Sequence, residues 1–158
     1  MAVRPTFASR DEMIGALRDS GCRLTRQRLA IIDYLVRRED HPSARQIHRA
    51  LLQGRRTGPS LATVYNTLSR LVELGMLREM EFDARDNRFD TNLQPHLNLV
   101  CTNCGAISDC DGAPAIRPAT ILKREGFQPP GFRLEFYGLC SHCRSGHHSA
   151  GGTSRSRT

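Results

Sequence analysis

Residues 60–90 read SLATVYNTLSRLVELGMLREMEFDARDNRFD. Ser60 is placed to cap a helix, Leu61, Val64, Leu68, Leu71 and Val72 recur on one face of it, and Gly75 is placed to end it. Tyr65, Asn66, Ser69 and Arg70 fall on the opposite side. Two strand-like runs follow, MLREMEFD and NRFDTN, separated by the turn-rich DARDN. A helix leading into a two-strand hairpin is the outline of a winged helix.

The residues before this stretch supply the other helices that such a domain needs. SRDEMIGALRDSG opens with a Ser9/Glu12 capping box, carries Met13, Ile14 and Leu17 on one face, and stops at Gly21. In TRQRLAIIDYLVRRED, Thr25 is the N-cap, and Leu29, Ile32, Leu35 and Val36 are expected inward. After His41-Pro42, Ser43 and Gln46 form a second capping box for ARQIHRALLQ, which ends before GRRTGP. Beyond residue 93 the pattern turns to β, in HLNLVC and FRLEFYGLC, with a helix expected in AIRPATILKREG. The tail from residue 144 has no apolar residue after Ala150 and is expected to be disordered.

The 158 residues allow one ordinary domain or two small ones. There are 23 Lys and Arg against 16 Asp and Glu, and the excess is uneven. Residues 1–78 carry 14 Arg and 7 acidic residues, whereas residues 79–158 carry 9 basic and 9 acidic, so the net +7 lies in the first half. A compact basic half points to a polyanion, since each neutralised phosphate releases counterions. Lys123 is the sole lysine, so the charge is nearly all arginine, which grips phosphate and guanine edges bidentately. No apolar run approaches the roughly 18 residues of a membrane span, and no signal-peptide order opens the chain, so a soluble, cytoplasmic protein is expected.

Four of the six cysteines form two Cys-x-x-Cys pairs, Cys101 with Cys104 and Cys140 with Cys143. Four thiolates in two knuckles match a closed, tetrahedral structural zinc site. Cys22 and Cys110 read as small buried apolar residues. His41, Asp90, His96 and Asp109, with Asn98 beside them, remain as nitrogen and oxygen donors suited to Fe(II), Mn(II) or Zn(II). Taken singly, His41 reads equally as a loop residue and Asp109 as a turn residue.

In their joint order, GCRLTRQR, HPSARQI, SLATVYNTLSRLVELG, RFD, PHLNLVCTNCGAISD and FRLEFYGLCSHC resemble the ferric uptake regulator (Fur) superfamily of metal-dependent repressors, most closely its peroxide-sensing PerR branch. The resemblance implies an α+β protein, with a winged helix-turn-helix domain over 1–88, a small α/β dimerisation and metal-binding domain with a four-cysteine zinc site over 89–143, and a tail over 144–158. It implies a homodimer on a palindromic double-stranded operator, with no enzymatic activity and no membrane partner. Tyr65 matches the base-contacting position, Arg28 a position associated with DNA, and Thr63, Asn66 and Arg70 complete the expected DNA-facing set. A regulatory Fe(II) or Mn(II) is implied on His41, Asp90, His96 and Asp109, with Asn98 standing where the branch carries a second histidine. The branch senses peroxide when its iron oxidises a ligand histidine, here His41 or His96. A repressor responding to metal supply alone, a small zinc enzyme and a zinc-ribbon interaction module are the competing readings.

Overall fold

The structure is a computed structural model that describes residues 7–54, 57–81, 86–94, 96–110, 118–126 and 134–146. Arg55, Arg56, most of the DARDN turn, the start of AIRPATILKREG and the tail from 147 lie outside the described residues.

Four helices build the first half: α1 (Arg10–Asp19), α2 (Arg26–Leu35), α3 (Ala44–Leu52) and α4 (Leu61–Glu73). Each starts at the cap read from sequence. The Ser9 and Ser43 side chains accept from the Glu12 and Gln46 amides, and those side chains accept in return, while Thr25 and Ser60 cap singly. α4 stops in a Schellman turn: Gly75, at φ 69, donates its N–H to Val72 and Met76 donates to Leu71. Met13, Leu17, Ile32, Leu35, Ile47, Val64, Leu68 and Leu71 are fully buried together, each contributing about 1.5–3 kcal/mol by burial.

Two details differ from the expected pattern. Ile31 is fully buried while Leu29 and Val36 are half-buried, because α2 centres its packed face on residues 31, 32 and 35, and Ile14 of α1 is half-buried as well. On α4, Leu61 and Val72 are half-buried and Thr67 takes a core position. Thr67 can do so because its hydroxyl donates to the Thr63 carbonyl at 2.7 Å and leaves its methyl to pack.

The wing follows as an antiparallel pair, β1 (Arg78–Met80) and β2 (Arg88–Asp90). Its strands feed different cores: Phe89 packs with the helices, and Met80 packs with Val100 and Ile107 of the second half. That half is a three-stranded sheet in the order β4-β3-β5, formed by β3 (Leu97–Cys101), β4 (Ile107–Cys110) and β5 (Leu134–Gly138). β3 runs antiparallel to β4 and parallel to β5. Strand β4 has no counterpart among the expected strands, and it places Asp109 inside a ladder opposite Asn98 rather than in a turn. Among the described residues of this half are two short helices, α5 (Pro118–Glu125) and α6 (Ser141–Arg144). Among the described residues no helix is long and apolar enough to cross a membrane.

Candidate metal centres

The parallel pairing of β3 with β5 puts Cys101 opposite Gly138, so the two Cys-x-x-Cys segments emerge at the same end of the sheet. Cys101 closes β3, Cys104 lies in the following turn, Cys140 caps α6 and Cys143 lies within it. The four sulfurs lie within 4.8 Å of one another, and Cys104 Sγ is 3.8 Å from Cys140 Sγ. Tetrahedral coordination with Zn–S of about 2.3 Å requires sulfur separations of roughly 3.8 Å. The Cys140 amide donates to Cys101 Sγ at 3.3 Å, and the Cys143 amide to Cys140 Sγ at 3.4 Å. Backbone amides of Cys104 and Cys140 bring the Cys101 thiol down to about 6. The Asn103 side chain favours a Cys143 thiolate, but burial and the neighbouring sulfurs outweigh it and push that thiol up to about 12. Four sulfurs that cannot all ionise side by side fit a cation that neutralises them, and zinc has the matching donor set and size.

The second centre is assembled from both halves. His41 comes from the loop before α3, Asp90 from the end of β2, His96 from the entry to β3, and Asp109 from β4. His41 Nε2 is 3.0 Å from Asp109 Oδ1 and 3.5 Å from Asp90 Oδ1. His96 Nε2 is 3.3 Å from Asp90 Oδ2 and 3.4 Å from Asp109 Oδ1. None of these approaches has hydrogen-bond geometry: both Nε2 atoms, Asp90 Oδ2 and Asp109 Oδ1 are buried without a hydrogen-bond partner. Orphaned polar atoms in one buried spot are costly unless something else satisfies them, and a shared cation does so.

The remaining polar atoms of His96, Asp90 and Asp109 are held from outside, whereas His41 Nδ1 is buried without a hydrogen-bond partner. His96 Nδ1 lies 2.8 Å from the Gln94 carbonyl, which in the neutral ring fixes the proton on Nδ1 and leaves the Nε2 lone pair inward. Asn92, absent from the residues expected at the site, is the organising residue of the carboxylates. Its amide donates to Asp90 Oδ1 at 2.7 Å and its side-chain nitrogen to Asp109 Oδ2 at 3.1 Å, leaving one oxygen of each free. An asparagine two positions after an aspartate carries no distinctive sequence signal; only the ladder that delivers Asp109 shows its second partner.

Burial alone would lower the His41 pKa, but the nearby Asp109 and Asp90 carboxylates outweigh it and push it up to about 9. His96 is raised as well, chiefly by Asp109. Burial would raise the Asp109 carboxyl, yet His41, His96 and Asn92 hold it well below the usual carboxylate range. His41 also adopts φ 50, a left-handed conformation that costs a non-glycine residue about 1–3 kcal/mol and marks a site held under constraint. Asn98 is buried opposite Asp109 in the β3–β4 register, and its Oδ1 has no hydrogen-bond partner. Cys22 and Cys110 are half-buried and belong to neither cluster.

The DNA-facing residues expected on α4 are displayed outward. Tyr65 is 38% exposed, Asn66 is exposed, and Thr63 is half-buried with its hydroxyl 2.8 Å from that of Ser60. Arg70 pairs with Glu73 at 2.8 Å, and Arg28 donates to the Arg23 carbonyl at 2.6 Å.

The sequence matches the profile of the ferric uptake regulator family over residues 19–137. The chain belongs to that family. The Bacillus subtilis peroxide operon regulator is 37% identical to this Fur-family chain over 134 residues, 84% of the chain and 91% of the relative. The peroxide-responsive repressor PerR of Staphylococcus epidermidis is 34% identical over 136 residues, 85% of the chain and 89% of the relative. Among solved structures, the ferric uptake regulator from Francisella tularensis with iron superposes with a TM-score of 0.65 at 25% identity, covering 78% of this Fur-family chain and 96% of its own.

Proposed function

We propose that the protein is a metal-dependent, DNA-binding transcriptional repressor that senses peroxide. One observation carries the reading: His41, from the basic helical half, meets Asp90, His96 and Asp109 around a single buried point. A cation there ties the two halves at a fixed angle. In a homodimer that angle sets the spacing of the two α4 helices, which must reach palindromic half-sites about 34–36 Å apart. Metal and operator then favour each other by the same factor.

Cys101, Cys104, Cys140 and Cys143 are assigned to structural Zn(II), which stabilises the sheet unit on folding. His41, Asp90, His96 and Asp109 are assigned to regulatory Fe(II) or Mn(II), with the orphaned Asn98 amide oxygen as a fifth, neutral donor. Bound Fe(II) would supply the reduction of peroxide, leaving oxidation of a ligand histidine as its record. The chain's own part is to hold His41 and His96 with Nε2 inward, to keep the Asp109 carboxylate ionised, and to shield the point from bulk water. Similarity to two peroxide regulators and to an iron-bound family member supports this assignment.

Arg28, Thr63, Tyr65, Asn66 and Arg70 are assigned to DNA, supported by the outward face of α4 and the basic surplus of residues 1–78. Dimerisation is assigned to the sheet unit, where Phe136, Tyr137 and Leu139 are 54–60% exposed on and beside the edge strand β5. The division into 1–88, 89–143 and a tail over 144–158 rests on the family resemblance, with the wing strands β1 and β2 shared between the two cores, and the site of action is cytoplasmic DNA. The test is peroxide treatment of Fe(II)-loaded protein, with Mn(II)-loaded protein as control. One added oxygen on the His41 or His96 peptide, together with loss of operator binding, supports the reading. DNA release on chelation but not on peroxide identifies a repressor of metal supply instead.

A further inference from the structure

Arg88 is a ligand in neither metal set, yet its guanidinium touches the surroundings of both. Its backbone forms an isolated antiparallel bridge with Ser43. Nη1 donates to Gln46 Oε1 at 2.8 Å and to the His41 carbonyl at 3.4 Å, while Nη2 donates to the Gly105 carbonyl at 3.0 Å. Gln46 Oε1 also accepts from the Ser43 amide at 2.7 Å, within the capping box that starts α3. Gly105, at φ 71, closes the turn of the first knuckle with its N–H on the Cys101 carbonyl at 2.9 Å. One half-buried cation therefore ties the His41 loop, the start of α3 and the turn carrying Cys101 and Cys104.

Arginine chemistry suits this position. A planar fork of donors reaches acceptors on two sides at fixed angles, whereas a lysine ammonium is a point charge that serves one side or the other. The His41 backbone is in a left-handed conformation that must be held by its neighbours, and the Arg88 contact to its carbonyl is one of the holds. A shift of the knuckle turn moves the Gly105 acceptor, and the same guanidinium then pulls on the loop that aims His41.

We infer that Arg88 is a positioning residue that couples the two metal sites: an intact four-cysteine cluster raises metal affinity at the His/Asp centre, and metal at that centre slows zinc loss from the knuckles. The two effects are one coupling seen from either side. The inference rests on both clusters being metal sites.

The test uses zinc-loaded full-length protein as wild type, Arg88→Ala and Arg88→Lys. Mn(II) affinity is measured by calorimetry, and zinc release to a zinc-selective chelator is timed with and without saturating Mn(II). In wild type, Mn(II) is expected to slow zinc release at least about fivefold. Both variants are expected to bind one zinc, to show a release ratio near one, and to bind Mn(II) roughly 10–100-fold more weakly. Arg88→Lys keeps the charge and decides the matter if Arg88→Ala loses zinc during purification. A wild-type release ratio in either zinc-loaded variant overturns the coupling, as does wild-type zinc release indifferent to bound Mn(II). Failure of wild type to bind Mn(II) at all removes the reading of the His/Asp centre together with the coupling.

Discussion

A metal bound through His41, as proposed, must displace a proton from it. The metal-free imidazole is pushed up to about 9 by Asp109 and Asp90, so at pH 7 it is almost fully protonated. A histidine binds a metal only as the neutral base, so each pH unit below 9 weakens the apparent affinity about tenfold. Two units correspond to a factor of about 100 at pH 7, or about 2.7 kcal/mol. His96, also raised, adds part of a second proton, while Asp109 is already ionised and adds none. Calorimetric titration of Mn(II) in buffers of different ionisation enthalpy should therefore report between one and two protons released per ion at pH 7. Affinity should rise at least about tenfold between pH 7 and 8 and flatten above about 9. Release of fewer than about 0.2 protons at pH 7, or an affinity constant from pH 7 to 8.5, refutes the reasoning, because the histidines would then be neutral before the ion arrives.

The same proton stabilises the fold without regulatory metal. A raised histidine contributes stability that is fully present below its unfolded value near 6.5 and is lost as pH rises through about 9, so zinc-loaded, manganese-free protein should lose up to about 3 kcal/mol over that window in denaturant titrations. Asn92→Ala keeps the backbone N–H on Asp90 but frees the Asp109 carboxylate, and it should weaken Mn(II) binding roughly 10–100-fold while zinc content, read by elemental analysis, stays at one per chain. Asn98→His replaces an orphaned amide beside Asp109 with a stronger donor and should tighten Mn(II) binding in the same titration; an unchanged affinity would mean residue 98 points away from the ion. Phe136→Glu puts a charge on the exposed face beside Leu99 and should weaken the dimer at least about tenfold by sedimentation, with the zinc site intact.

The elements that sequence reading captures are those whose signals are local. Ser9 with Glu12 and Ser43 with Gln46 declare helix starts within four residues, and Gly75 declares a stop, so α1 to α4 begin where expected and α4 ends where expected, whereas α2 stops at Leu35, short of the run RRED that the sequence pattern includes. The two Cys-x-x-Cys pairs are legible for the same reason, since each knuckle is a local turn. What stays hidden depends on distant pairing. Ser108 and Asp109 carry little strand signal of their own, and β4 exists because β3 offers it a ladder. Asn92 and Arg88 act on residues up to 47 positions away, through contacts that only the folded chain creates. His41, Asp90, His96 and Asp109 stand out in the sequence as leftover nitrogen and oxygen donors, each readable singly as an ordinary polar residue, and it is the family resemblance that groups them on one ion.

The central claim is that one ion joins the two halves at His41, Asp90, His96 and Asp109. Anomalous scattering at the manganese edge, from crystals of protein carrying one zinc and one Mn(II) per chain, locates that ion directly. A single manganese peak is expected within about 2.0–2.3 Å of both Nε2 atoms and of a carboxylate oxygen from each aspartate, with zinc confined to the four sulfurs. Manganese bound elsewhere, or bound with His41 outside its coordination, would contradict that claim.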